Sequence, residues 1–317
     1  MVREALLVGS KDTTMLDVFS NLDQVLEDDF RHPIPIGIPG IDNCLKGGLA
    51  KGEIGVILAP TGVGKTTVLT KIANHGFNLG YNVLQIFFED NPKIIQRKHF
   101  TLWTGIVPDN LSLHKEEVMS KVKSIQDNMP NKLTLKKLPS DTLTMSQVKN
   151  QIRKMIAEGN KVDMVVLDYI DCIMPDKNLG DEWKSEGSVM RGFEAMCHEL
   201  DLAGWTATQG NRSSISSDVV TTDQMGGSIK KAQVGHVIIS VAKSLQQKEM
   251  NLATIAITKS RIGKDGIVFE NCKFDNELLE IDTESSVTFL GLEEQKEEKN
   301  RQRIKQLLDR RKSENQI

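Results

Sequence analysis

The segment "APTGVGKTTV", residues 59–68, follows the apolar run "GVILA" and opens a stretch of helical pattern. Its spacing is that of a phosphate-binding loop, with Gly62, Gly64, Lys65 and Thr66 at the required positions and Ala59 where glycine is more usual. Small residues let successive backbone N–H groups close around phosphate oxygens, and the start of a helix adds its dipole. Lys65 is placed to reach the β and γ phosphates, and the Thr66 hydroxyl to ligate Mg²⁺. Pro60, Thr61, Gly62, Val63, Gly64, Lys65, Thr66 and Thr67 form the candidate nucleotide-binding set, which implies ATP as substrate and Mg²⁺ as cofactor.

Three further polar residues close apolar runs. "DMVVLDYID" delivers Asp168 to the end of a strand, where a carboxylate can hold the metal and its waters; Asp171 lies beyond the strand and is the weaker candidate. "NVLQIFF" ends at Glu89, a candidate base or water-positioner for the γ-phosphate. The alternative role for Glu89 is a helix cap, for which Asp90 or Asn91 is better suited. "WTATQGNR" ends a strand with Gln209, whose amide can report whether a γ-phosphate is present. Far downstream, "ITKSRIGKDG" gathers Lys259, Arg261 and Lys264 around two glycines. Alone it reads better as an exposed basic turn at a sheet edge.

These residues need a sheet to hold them in one place. Residues 34–285 alternate strand-like runs ("EIGVILA", "NVLQIFFE", "DMVVLDYI", "WTATQ", "HVIISVA", "ATIAITK") with helical patterns, including 66–79 and 146–158. Several of the runs are apolar on both faces, as strands of a covered parallel sheet must be. Thr144 and Ser146 are candidate caps for the second helix. The βαβα order predicts an α/β fold, a mostly parallel sheet flanked by helices. "IVFENCKFDNELLEID" predicts a hairpin around Asp275 and Asn276.

Residues 1–33 form an N-terminal arm in which Met15, Val18, Phe19, Leu22, Val25 and Leu26 recur at helical spacing. Pro33 and Pro35 end it. Residues 286–317 are a charged C-terminal tail. The 317 residues are 39% hydrophobic and 26% charged, as ordinary globular chains are. Forty Lys and Arg against 43 Asp and Glu give a net charge of −3, which excludes a globally basic nucleic-acid binder but not a local basic loop. The cysteines, 44, 172, 197 and 272, have neither zinc-site spacing nor a disulfide framework, and a reducing cytosol fits them best. No apolar run is long enough for a signal peptide or membrane span, so a cytoplasmic location is expected.

The P-loop, Glu89, "VVLDYI", "TQGNR" and "TKSRIGKDG", in that order, resemble the RecA-type motor domain of DnaB-type replicative helicases, closest in look to bacteriophage versions. The likeness covers residues 34–285. It implies a RecA-like P-loop NTPase core that assembles as a hexamer, with ATP bound between neighbouring subunits. It also implies that Lys259 and Arg261 reach the γ-phosphate held by the next chain. It implies single-stranded DNA contacts from loops bearing Arg212 and "MGGSIKKAQ" with Lys230 and Lys231, although "QVGHV" replaces the family's usual acidic residue there. The arm helix resembles a linker helix that docks on the adjacent subunit, and primase or a helicase loader are the implied partners, in host cytoplasm if the chain is phage-encoded. Two other readings share the core: a RecA-type recombinase on open filaments, and a non-motor ATPase that gates partner binding.

Overall fold

The computed structural model describes residues 31–176, 182–211, 219–222, 229–284 and 290–291, with residues 18, 23 and 26. The arm helix, apart from those isolated positions, the charged tail, apart from Leu290 and Gly291, and Arg212 lie outside the described residues.

A ten-stranded sheet runs through the molecule. In chain order the strands are β1 (Ile54–Ala59), β2 (Val83–Phe87), β3 (Leu133–Lys137), β4 (Met164–Asp168), β5 (Ala203–Gln209), β6 (Val237–Ala242), β7 (Leu252–Ser260), β8 (Ile267–Asp275), β9 (Glu280–Asp282) and β10 (Leu290–Gly291). Nine lie in the order β10-β8-β7-β6-β1-β5-β4-β2-β3, and β9 pairs with β8 off that line. From β6 across to β3 every pairing is parallel, while β6-β7, β7-β8, β8-β9 and β8-β10 are antiparallel. The fold is the expected RecA-like one, and the antiparallel flank is the part that the strand count alone did not indicate.

The helices are α1 (Pro39–Cys44), α2 (Lys65–Asn78), α3 (Pro92–Thr104), α4 (Lys115–Asn128), α5 (Met145–Ala157), α6 (Glu182–Leu200), α7 (Ile229–Val234) and α8 (Leu245–Glu249). Strand β1 is buried along its whole length, and its alternation divides the core. Ile57 and Ala59 pack with Val68, Leu69, Ile72 and Ala73 of α2 on one face. Ile54, Val56 and Leu58 pack with Val148 and Ile152 of α5 and Met190, Phe193 and Met196 of α6 on the other. Gly55 lets the sheet accept a fully buried tryptophan, since a Cβ there would lie 2.3 Å from the Trp205 ring.

Both expected helices form within a residue of their sequence limits. The start of α5 is closed by Thr144, whose N–H donates to Gln147 Oε1 at 2.9 Å, worth about 1 kcal/mol as caps go. Asn91, not Glu89, caps α3: its Oδ1 accepts from the Lys93 N–H at 2.9 Å. The hairpin around Asp275 and Asn276 forms between β8 and β9. No helix among the described residues is long and apolar enough to cross a membrane.

Candidate functional site

The parallel register brings four strand ends level. Ala59 pairs with Gln209, and Phe87 with Asp168, so β1, β5, β4 and β2 all finish along one edge of the sheet. The loop from β1 turns into α2 through Gly62 at φ 76° and Gly64 at φ 125°, left-handed conformations that suit glycine. Gly64 has a second reason to lack a side chain, because a Cβ there would meet Asn276 Oδ1 at 2.5 Å. The same oxygen accepts from Thr67 Oγ1 at 2.8 Å, so the β8-β9 hairpin braces the loop. That brace was not foreseen, since nothing local ties residue 276 to residue 67.

Lys65 opens α2 with its ammonium folded onto its own loop, 3.4 Å from the Ala59 carbonyl and 3.5 Å from that of Pro60. Burial holds its pKa below the usual lysine value, opposed by the carboxylates of Asp171, Asp168 and Glu89. An ammonium ringed by three acids and only loosely bonded is well placed to turn to a phosphate.

Asp168 ends β4 and is 6% exposed. Burial pushes its pKa up to about 6; the neighbouring Asp90 adds to this, while a hydrogen bond from the Thr66 hydroxyl and the cations of Lys98 and Lys65 pull the other way. A hydroxyl and an undercompensated carboxylate side by side suit Mg²⁺, which takes one or two protein oxygens and completes its shell with phosphates and water. Among the described residues no cluster of three or more His, Cys, Asp or Glu could hold a metal unaided.

Glu89, just past β2, is exposed on the same edge. Its Oε1 accepts from the Tyr169 hydroxyl at 3.2 Å, and that hydroxyl accepts in turn from Gln209 Nε2 at 3.4 Å. Tyr169 thus joins two predicted residues and was itself missed, though it directly follows Asp168. Burial, then the nearby Cys172 and Glu89, raise its pKa, so the phenol stays protonated and donates to the carboxylate. Asp171, set aside as a loop acid, is a hub: its carboxylate accepts from Thr208 Oγ1 at 2.9 Å, from the Gln209 N–H at 3.0 Å and from Lys231 Nζ at 2.6 Å.

Lys259 and Arg261 stand elsewhere. Strand β7 runs against β6, with Lys259 opposite Ile238 and Ser260 opposite Val237, while Val237 pairs with Gly55 near the start of β1. The two cations therefore sit at the edge where β1 begins, and the P-loop lies where it ends, four residues or about 13 Å along the strand. Here Lys259 Nζ donates to the carbonyls of Ala232, Gln233 and Gly235 at 2.6–2.8 Å, and Arg261 to that of Gln233 at 2.5 Å. Burial, then Arg261, lower the Lys259 pKa to about 8.

Of the residues expected to touch DNA, Arg212 and the side chain of Lys230 lie outside the described residues. Lys231 is placed differently from expectation. It is 4% exposed, with its ammonium between Asp171 at 2.6 Å and Glu186 at 2.9 Å. Two adjacent lysines in a polar segment read as solvated, and only the approach of the turn after β4 and of α6 makes one of them internal.

A family model described as the DnaB-like helicase C terminal domain matches residues 34–282. The DNA repair protein RadA of Aquifex aeolicus (strain VF5) is 30% identical over 122 residues, 36% of this chain and 27% of that protein, so the match spans about a quarter of the relative's length. Two solved structures share the fold, each with a TM-score of 0.69, 16% identity and coverage of 89% of this chain. One is a DnaB-like replicative helicase described with its interactions with primase, covered over 70% of its length. The other is the ATPase domain of G40P, covered over 98%.

Proposed function

The chain belongs to the DnaB-like helicase C-terminal domain family, and from that premise we propose that it is an ATP-driven motor that encircles single-stranded DNA as a hexameric ring and unwinds duplex DNA. The observation that carries this reading is the division of cationic chemistry between the two edges of the sheet. The P-loop edge has a base candidate, a metal-binding pair and a phosphate-facing lysine. The edge that bears Lys259 and Arg261 is on the wrong side to serve its own pocket and is suited to serve a neighbour's.

In the working pocket the N–H groups of residues 61–67 cradle the phosphates, and Lys65 leaves its loop carbonyls for the β and γ oxygens. Thr66 and Asp168 would hold Mg²⁺, which when bound would supply positive charge to offset that of the phosphates. Glu89 orients the attacking water, with its carboxylate steadied by Tyr169. Gln209, on the same hydroxyl, reads the γ-phosphate. The neighbour's Lys259 and Arg261 stabilise charge on the transferring group, a role worth about 10³ to 10⁵ in rate elsewhere.

Single-stranded DNA is the proposed polymer partner, through Arg212, Lys230 and the channel segments near them. The arm at 1–33 is proposed to dock on an adjacent copy, and primase or a loader to be the protein partner, in host cytoplasm if the chain is phage-encoded. The partition into arm, motor domain at 34–285 and tail at 286–317 belongs to the same proposal. A RecA-type recombinase on open filaments, which would share the same core, is the rival reading.

Native mass measurement with an ATP analogue and an oligonucleotide tests the reading. Six copies per strand are expected, together with turnover that rises on adding single-stranded DNA. Open filaments in electron micrographs would favour the recombinase, and turnover indifferent to DNA would favour a non-motor ATPase.

A further inference from the structure

The return from β5 to β6 carries the chain from the P-loop edge to the edge bearing Lys259 and Arg261, and α7 is the final part of that passage. Its six residues span about 9 Å. Both ends of this short helix are held by charge. Side chains lean towards the start of their helix, so Lys231 reaches back to the P-loop edge. There it lies 2.6 Å from Asp171 and 2.9 Å from Glu186. At the other end the carbonyls of Ala232, Gln233 and Gly235, which no further helical turn would satisfy, accept from Lys259, and that of Gln233 also from Arg261.

Asp171 completes the connection. The carboxylate that takes the Lys231 ammonium also takes the Gln209 N–H and the Thr208 hydroxyl. One acid thus joins the strand end beside the P-loop to a helix whose far end holds the cations meant for the next chain. A lysine kept for DNA phosphates would stand in solvent. This one is 4% exposed, and a buried ammonium is costly to leave without its partly buried partners.

We propose that Lys231 is a positioning residue: its pair with Asp171 fixes α7 so that a change at Gln209 moves the carbonyls holding Lys259 and Arg261. The inference rests on the shared-pocket reading for what those two cations do. It makes Lys231 a strut between one chain's own nucleotide site and the one it serves, in place of a DNA contact.

The test compares Lys231→Met, Asp171→Asn and Lys231→Arg in the full chain. The readouts are amide exchange across α7, the salt dependence of oligo-dT binding, and kcat and KM for ATP. Lys231→Met and Asp171→Asn are expected to behave alike. Both lose protection at residues 232–235, both lower kcat roughly tenfold with KM unchanged, and neither alters the salt slope. Lys231→Arg, which keeps the charge, restores kcat. If Lys231→Met alone flattens the salt slope, by about 0.7 as for one lost contact on a single strand, Lys231 touches DNA and the proposal falls. Wild-type exchange across α7 in both variants overturns it as well. A wild-type chain with no DNA-stimulated turnover counts against the motor reading only, because exchange and salt dependence need no turnover.

Discussion

The phenolic oxygen of Tyr169 stands 3.2 Å from Glu89 Oε1 and 3.4 Å from Gln209 Nε2. A single hydroxyl thus touches both the residue suited to orient water and the one suited to sense the γ-phosphate. Tyr169→Phe removes that oxygen and little else. It is expected to lower kcat by roughly tenfold while leaving KM for ATP within about twofold, the pattern of an interaction made in the transition state. Steady-state kinetics decide it, and an unchanged kcat would reduce the hydroxyl to packing.

Arg261→Ala is expected to keep ATP binding and to lose turnover by about 10³-fold. Glu89→Ala fails for the opposite reason, its own pocket lacking the water-positioner. Mixing the two variants pairs some intact glutamates with intact neighbouring arginines, so activity should reappear at those seams. A mixture no more active than its components would mean that the arginine acts within its own chain.

Lys65→Ala deletes the ammonium that the P-loop carbonyls hold at 3.4 and 3.5 Å. Hydrolysis is expected to fall by at least about 10²-fold, as when a charge-stabilising donor is lost from a site built around it. Wild-type phosphate release from this variant would remove the P-loop assignment.

A fourth prediction concerns stability. His99 is 2% exposed in a chain of donors running from Trp103 through Asn78 and Asn74 to His99, then Gln85 and Thr70. Every link is satisfied by a neutral ring with its proton on Nε2. Burial, then the charge of Lys98, lower its pKa to about 3, below the 6.5 of an unfolded chain. Between those values the unfolded chain binds a proton that the folded one refuses. Its contribution is therefore complete above pH 6.5 and is lost as pH falls towards 3, by up to about 1.4 kcal/mol per pH unit. Denaturant midpoints from pH 7 to pH 4 should fall more steeply for the natural chain than for His99→Gln, and parallel curves would contradict the neutral ring.

The sequence made much of this legible, but unevenly. Strands β1, β2 and β4–β7 announce themselves because a covered sheet demands apolar residues on both faces. Strand β3, "LTLKK", is half-buried at the sheet margin and carries too weak a pattern to stand out. The reversal at β7 had a signal that went unused: only residues 243–251 separate β6 from β7, fewer than a parallel crossover requires. Asp168, Glu89 and Gln209 could be placed because strand ends are readable. Tyr169, Asn276 and Lys231 could not, since their surroundings are created by segments far away in the chain.

The separation of Gly64 from Arg261 across the sheet has a stoichiometric consequence. For a catalyst that borrows its cation from the next copy, a two-fold pair sets like margins together and completes no pocket, whereas head-to-tail packing completes one pocket per contact. An open stack always holds one fewer competent pocket than it has copies, so a head-to-tail dimer runs at half capacity and a trimer at two-thirds. Only when the last margin meets the first does every copy become productive, which makes activity per copy a direct count of unmated ends.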